Sequence, residues 1–160
     1  MELPLDVVRA KFSEELKHAN KRAELFGFGL IGDVDALTLR ADFMAANGDK
    51  YILRGSFDDY RLKPPLLEFE DPQTGAVGTG RGFPKQKQGD SFFHSPGIIC
   101  APFNRKAYGN VHTDWVMTDW AANKSGNVDW SHYNTIATML VLIHSKLSNP
   151  NYYGGGRWEA

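Results

Sequence analysis

Cys100 is the only cysteine among 160 residues. It has no partner for an internal disulfide, so it is either a buried small hydrophobe or a reactive thiol. A thiolate is a good nucleophile and also a good leaving group. A thiol here therefore suits acyl exchange, in which a carrier is loaded and unloaded at modest cost. Such chemistry also needs one group to stabilise an oxyanion and another to take a proton from the incoming nucleophile. The candidates are His94, Asn104, His112 and Asp114. His112-Thr113-Asp114 sits in a long polar connection that can fold over the thiol, where Asp114 would orient His112 or attract a cationic substrate. An exposed loop pair is the plain alternative for both, and His94 can equally cap a turn. Cys100, His112 and Asp114 also supply the residue types of a hydrolytic triad. No cation immediately precedes Cys100; Arg105 and Lys106 follow within six residues.

Other chemistries find little support. Cys100, His94 and His112 lack paired ligand spacing, so no metal site is expected. Gly78-Thr79-Gly80-Arg81-Gly82 is not followed by Gly-Lys-Ser/Thr, so no phosphate loop and no cofactor is expected. Lys and Arg total 18 against 19 Asp and Glu, a net charge of -1. That balance points to neither nucleic acid nor an anionic membrane as partner. Met1 to Asp6 has no signal-peptide pattern, and no apolar run approaches the roughly 18 residues of a spanning helix. A reducing, cytoplasmic setting is expected.

The elements that must position these residues read as one α+β domain. Leu5, Val8, Phe12, Leu16, Ala19 and Ala23 recur at helical spacing, with Arg9, Lys11, Glu14, Glu15, Lys17 and Lys21 between them. This predicts an amphipathic helix over roughly residues 5–24, with Pro4 near its start. Phe26 to Gly32 is glycine-rich and reads as a short edge strand. Leu37–Met44 and Tyr51–Phe57 read as strands joined at Asn47-Gly48, a hairpin signal, and Leu66–Phe69 as another strand after Pro64-Pro65. Residues 70–92 read as an exposed glycine-punctuated loop, and 104–129 as a second long connection. Within it, Trp115 and Trp120 either pack the connection down or meet a partner. Thr135–Leu147 is the clearest helix, apolar nearly all round, with Asn134 as its N-cap and Asn149-Pro150 as its stop. Residues 152–160, with Gly154-Gly155-Gly156, read as a flexible tail.

In order along the chain stand Asp59-Tyr60-Arg61-Leu62-Lys63-Pro64-Pro65, then Gly97-Ile98-Ile99-Cys100, then Trp130-Ser131-His132-Tyr133-Asn134-Thr135-Ile136, a helix, and Asn149-Pro150-Asn151. This order resembles the ubiquitin-conjugating enzyme family, and the divergent bacterial type encoded in ubiquitin-like conjugation and antiviral defence operons. The resemblance spans about residues 5–151. It implies a ubiquitin-conjugating fold: N-terminal helix, antiparallel β-meander, Cys-bearing loop and central core helix, here without the family's two C-terminal helices. It implies that Cys100 accepts a ubiquitin-like protein from an activating enzyme as a thioester and passes it to an amine on a protein target. Arg61 replaces the first Pro of the family's Tyr-Pro-x-x-Pro-Pro, and the family's His-Pro-Asn is absent. In place of the missing Asn, His112 would act as donor, with Asp114 orienting it or attracting the lysine. Leu62 falls at the turn that ligases and activating enzymes contact, and His132 and Tyr133 fall on the matching second loop. Arg9 and Lys17 lie on the helix face that docks the activating enzyme, and Trp130 buries beneath the Cys loop. The alternative is a non-catalytic module of the same fold that binds a ubiquitin-like protein or an activating enzyme.

Overall fold

The computed structural model of the chain describes residues 2–94, 97–122, 124–125, 128–129 and 134–158. Helix α1 spans Leu5–Phe26 and buries Val8, Phe12, Leu16, Ala19 and Ala23 along one face. It ends at Gly27, whose φ of 79° lets its N–H close onto the Ala23 carbonyl. Glu15, a polar residue between the apolar ones in sequence, is buried as well.

Four strands follow as an antiparallel meander in the order β1 (Gly29–Asp33), β2 (Thr38–Met44), β3 (Lys50–Ser56), β4 (Leu66–Phe69). β1 is an edge strand, as its composition suggests. Alternation sets the register: Ala41 faces Leu53, Phe43 faces Tyr51, and Leu53 faces Phe69. Leu39, Ala41, Phe43, Tyr51 and Leu53 are buried, while Arg40, Met44 and Arg54 are exposed. Gly55 belongs to the buried set because a Cβ there would lie 2.8 Å from the Phe57 ring. Helix α2 (Ile136–Ser148) packs against α1 and β2, burying Ile136, Ala137, Met139, Leu140, Ile143 and Leu147. One helical layer on one face of an antiparallel sheet makes the chain α+β. Among the described residues no helix is long and apolar enough to cross a membrane.

Thr135, not the expected Asn134, is the N-cap of α2. Its Oγ1 accepts the Thr138 N–H at 3.3 Å, and the Thr138 hydroxyl accepts the Thr135 N–H at 3.3 Å. The Asn134 carbonyl is engaged elsewhere, by Arg61 Nη1 at 2.7 Å. The first long loop is exposed over 72–79, but Asp71, Phe83 and Phe92 are buried. The C-terminal segment read as a free tail is laid along that loop. Trp158 N–H donates to the Phe83 carbonyl at 2.8 Å, Gly82 N–H to the Trp158 carbonyl at 3.0 Å, and Lys85 N–H to the Gly156 carbonyl at 2.9 Å. Only glycine fits at 154, since a Cβ would meet the Lys85 carbonyl oxygen at 2.5 Å. Next to it Tyr153 is buried and bonded to Tyr51 through their hydroxyls at 2.6 Å.

His144 on α2 lies among Phe26, Phe28 and Phe43, with ring centroids 5.4 to 6.3 Å away, and its buried Nδ1 has no hydrogen-bond partner. Burial holds its pKa below the ordinary 6.5. Below that pH the unfolded chain takes up a proton that the folded state resists, so His144 costs stability in acid. Urea unfolding midpoints are expected to fall as pH drops from 7 to 5, and His144→Phe is expected to flatten that fall. An unchanged slope in the variant would remove His144 from the acid response.

Candidate active site

The site begins with a short hairpin, β5 (Phe93–His94) paired to β6 (Ile98–Ile99), with Phe93 opposite Ile99. Ile98, Ile99, Ala101 and Phe103 are buried, so the chain around Cys100 is threaded through the core. Cys100 follows β6, and its N–H donates to the Phe92 carbonyl at 2.7 Å. Its side chain is 8% exposed.

Asn104 fixes this loop against the sheet. It is fully buried, its Nδ2 donates to the Ile99 carbonyl at 2.9 Å, and its Oδ1 accepts the Leu67 N–H of β4 at 3.0 Å. Nδ2 and Oδ1 are thus each tied to backbone, so in this structure the fully buried Asn104 braces the Cys100 loop. A 3₁₀ turn, Arg105–Ala107, comes next. Arg105 donates from its backbone to the Pro65 carbonyl at 2.8 Å and from Nε to the Pro64 carbonyl at 3.0 Å, and it grips Asp58 through Nη1. The double proline therefore supplies two carbonyl anchors for the segment that follows Cys100.

That segment turns back at Gly109, whose φ is 77°. The N–H groups of Val111 and His112 both donate to the Ala107 carbonyl at 3.1 Å, and the Tyr108 hydroxyl donates to the Pro102 carbonyl at 2.7 Å. The result is a tight loop that lays His112 on the thiol: Cys100 Sγ and His112 Nε2 are 3.1 Å apart. The opposite neighbour of the imidazole is Trp115, stacked on it at a centroid distance of 3.7 Å with an interplanar angle of 10°.

Burial pushes the Cys100 thiol up to about 11. The thiol therefore rests protonated, and in the tautomer that leaves Nε2 without a hydrogen it donates to that nitrogen. Proton transfer to the imidazole is the route to a thiolate, so the pair can supply a nucleophile on demand without storing one.

Of the residues singled out from the sequence, the structure brings Cys100 and His112 together. Asp114 is exposed and forms no hydrogen bond or ion pair with a described residue; Trp115, not Asp114, abuts the His112 ring. His94 is half-buried on β5 with its Nδ1 buried and unbonded, and it makes no hydrogen bond to Cys100. Leu62 is half-buried in the turn before the prolines, and Lys17 is exposed on α1. Arg9 Nη2 donates to the Asp35 carbonyl at 2.9 Å. Trp130, His132 and Tyr133 lie outside the described residues. Trp120 packs down: it is buried, and its Nε1 donates to the Arg61 carbonyl at 3.3 Å. No family model and no curated protein matches the chain.

Proposed function

We propose that the chain is a carrier of the ubiquitin-conjugating type, in which Cys100 holds a ubiquitin-like protein as a thioester between an activating enzyme and an amine on a protein target. One observation carries the reading: the lone cysteine, set on a loop between an antiparallel meander and a core helix, has an imidazole nitrogen 3.1 Å from its sulfur. In loading, His112 takes the Cys100 proton, the thiolate attacks the incoming thioester carbonyl, and the activating enzyme's thiolate leaves. In discharge, the target amine attacks the Cys100 thioester, Cys100 leaves as thiolate, and the amine's proton passes to His112 or water. In each half-reaction one bond at the carbonyl carbon forms as another breaks and the released proton goes to the named base, so no oxidant or cofactor is needed. Arg9, Lys17, Leu62, His132 and Tyr133 are proposed to face the activating enzyme or a ligase, in a cytoplasmic setting.

The 8% exposure of Cys100 and its thiol at about 11 favour a second reading, a non-catalytic module of the same fold that binds a ubiquitin-like protein or an activating enzyme. Incubation with a ubiquitin-like protein, its activating enzyme and ATP separates the two on a non-reducing gel. A reductant-labile adduct is expected, and it should become a stable ester in Cys100→Ser. No adduct, with the partners shown to bind, would leave the binding module.

A further inference from the structure

We propose that Trp115 is the positioning residue of the Cys100–His112 pair, and that its indole face stabilises the imidazolium of His112 in the place where a carboxylate would be expected. The inference rests on the carrier reading, because it concerns the proton that loading must move. In that step the Cys100 S–H bond breaks, its electron pair stays on sulfur, and the proton moves to His112 Nε2. His112 keeps its Nδ1 hydrogen and becomes a cation.

Something must then favour that cation. Among the described residues no carboxylate touches it. Asp114 is exposed and unpaired. Arg105 and Lys106, on the turn leading to the loop, are engaged with Asp58 and Glu68 at 3.0 and 2.6 Å. Tyr108 spends its hydroxyl on the Pro102 carbonyl, and His94 on β5 makes no hydrogen bond to His112. The group in place is the indole, nearly parallel to the imidazole at 3.7 Å. An aromatic face attracts a cation through its quadrupole, with tryptophan the strongest, and attracts the neutral ring less. Stacking therefore favours the state formed after proton transfer over the resting state.

Trp115 is itself held in place. Its indole meets the Tyr108 ring edge-on at 5.5 Å, and it packs against the core while remaining partly exposed. A chain of contacts thus runs from the Pro102 carbonyl through Tyr108 and Trp115 to His112 and Cys100. It holds the imidazole by its face, a restraint that does not depend on a hydrogen bond at Nδ1.

Two measurements on the isolated protein test this. The first is the pH dependence of alkylation of Cys100 by iodoacetamide. Trp115→Leu is expected to slow the reaction on the order of tenfold at pH 7. It should leave the rate unchanged near pH 11, where the thiolate forms unaided, and Trp115→Phe should restore most of the loss. The second is tryptophan fluorescence. An imidazolium stacked on indole quenches it, so the wild-type emission should fall in a step as the solution is acidified, and this step should vanish in both His112→Ala and Trp115→Phe. Alkylation profiles of Trp115→Leu and wild type that superimpose would overturn the proposal. A tenfold loss in Asp114→Asn would do the same, by returning the role to the carboxylate. Should Trp115→Leu fail to fold, a wild-type emission lacking any His112-dependent step is sufficient to reject it. Neither measurement uses an activating enzyme, so both read the pair whether or not a thioester is ever formed.

Discussion

His112→Ala is expected to slow thioester formation on Cys100 by a factor of roughly 10² to 10⁴ at neutral pH, the range of a lost general base, while Cys100→Ala should form no adduct at all. The size follows from the thiol. A group pushed up to about 11 by burial is deprotonated in roughly one molecule in ten thousand at pH 7. The imidazole at 3.1 Å is the only described group placed to take that proton. The same reasoning fixes the pH dependence of the defect. Without His112, thiolate arises only by loss of the proton to solvent, so the variant's rate should climb about tenfold per pH unit toward 11. The wild type, with the imidazole in place, should depend far less on pH over that range, and the two rates should converge in strong base. Added imidazole should partly rescue His112→Ala, because the cavity left beside the sulfur admits it. Equal rates for variant and wild type at pH 7 would show that loading does not use the histidine, and would leave it a packing role under Trp115.

Much of the frame was legible because it is written in local patterns. α1 and the meander follow from apolar spacing, and the β2–β3 connection from Asn47-Gly48, whose Gly48 adopts φ 90°. Cys100 was legible because it has no rival, and His112 because few residue types can move a proton. What escaped reading depends on contacts between distant segments. Asn104 stands out in sequence as a donor for chemistry, but its amide links the Ile99 carbonyl to the N–H of Leu67, 37 residues before Asn104. Trp115 sits three residues after His112, and only the folded loop shows the two rings face to face. The tail looked free because its glycines carry no side chain to bury. At Gly154 that bareness lets the backbone pass against the Lys85 carbonyl, and the segment beyond it bonds to residues 82–85.

Glu15 is the clearest such case, and Glu15→Ala is expected to be the most damaging change outside the site. A carboxylate between apolar helix positions reads as solvated, yet Glu15 is only 5% exposed. Its Oε1 accepts from the Tyr60 hydroxyl at 2.7 Å and from the Ile136 N–H at 3.0 Å, and its Oε2 accepts from Arg61 Nη1 at 3.2 Å. It therefore supplies a hydrogen-bond acceptor to the first turn of α2 from another helix and ties both helices to the 57–63 turn. Burial, together with the Glu15 charge, pushes the Tyr60 phenol well above its usual range, so it stays a donor. Arg61 takes its place in this network at a φ of 76°, which proline cannot adopt because its ring fixes φ near −65°. The arginine standing where the resemblance expects proline is thus built into the local backbone. Removing the carboxylate strands the buried Ile136 N–H, takes the main acceptor from the Tyr60 hydroxyl and leaves Arg61 with the Asn134 carbonyl but no counter-charge, at a cost of about 3 kcal/mol. In a chain of this size that lowers the melting temperature by about 10 °C. Glu15→Gln keeps an acceptor for Ile136 and should lose less than half as much. A Glu15→Ala variant that melts within a degree or two of wild type would show that the three donors find other acceptors. The helix pair would then be held by its apolar seam alone.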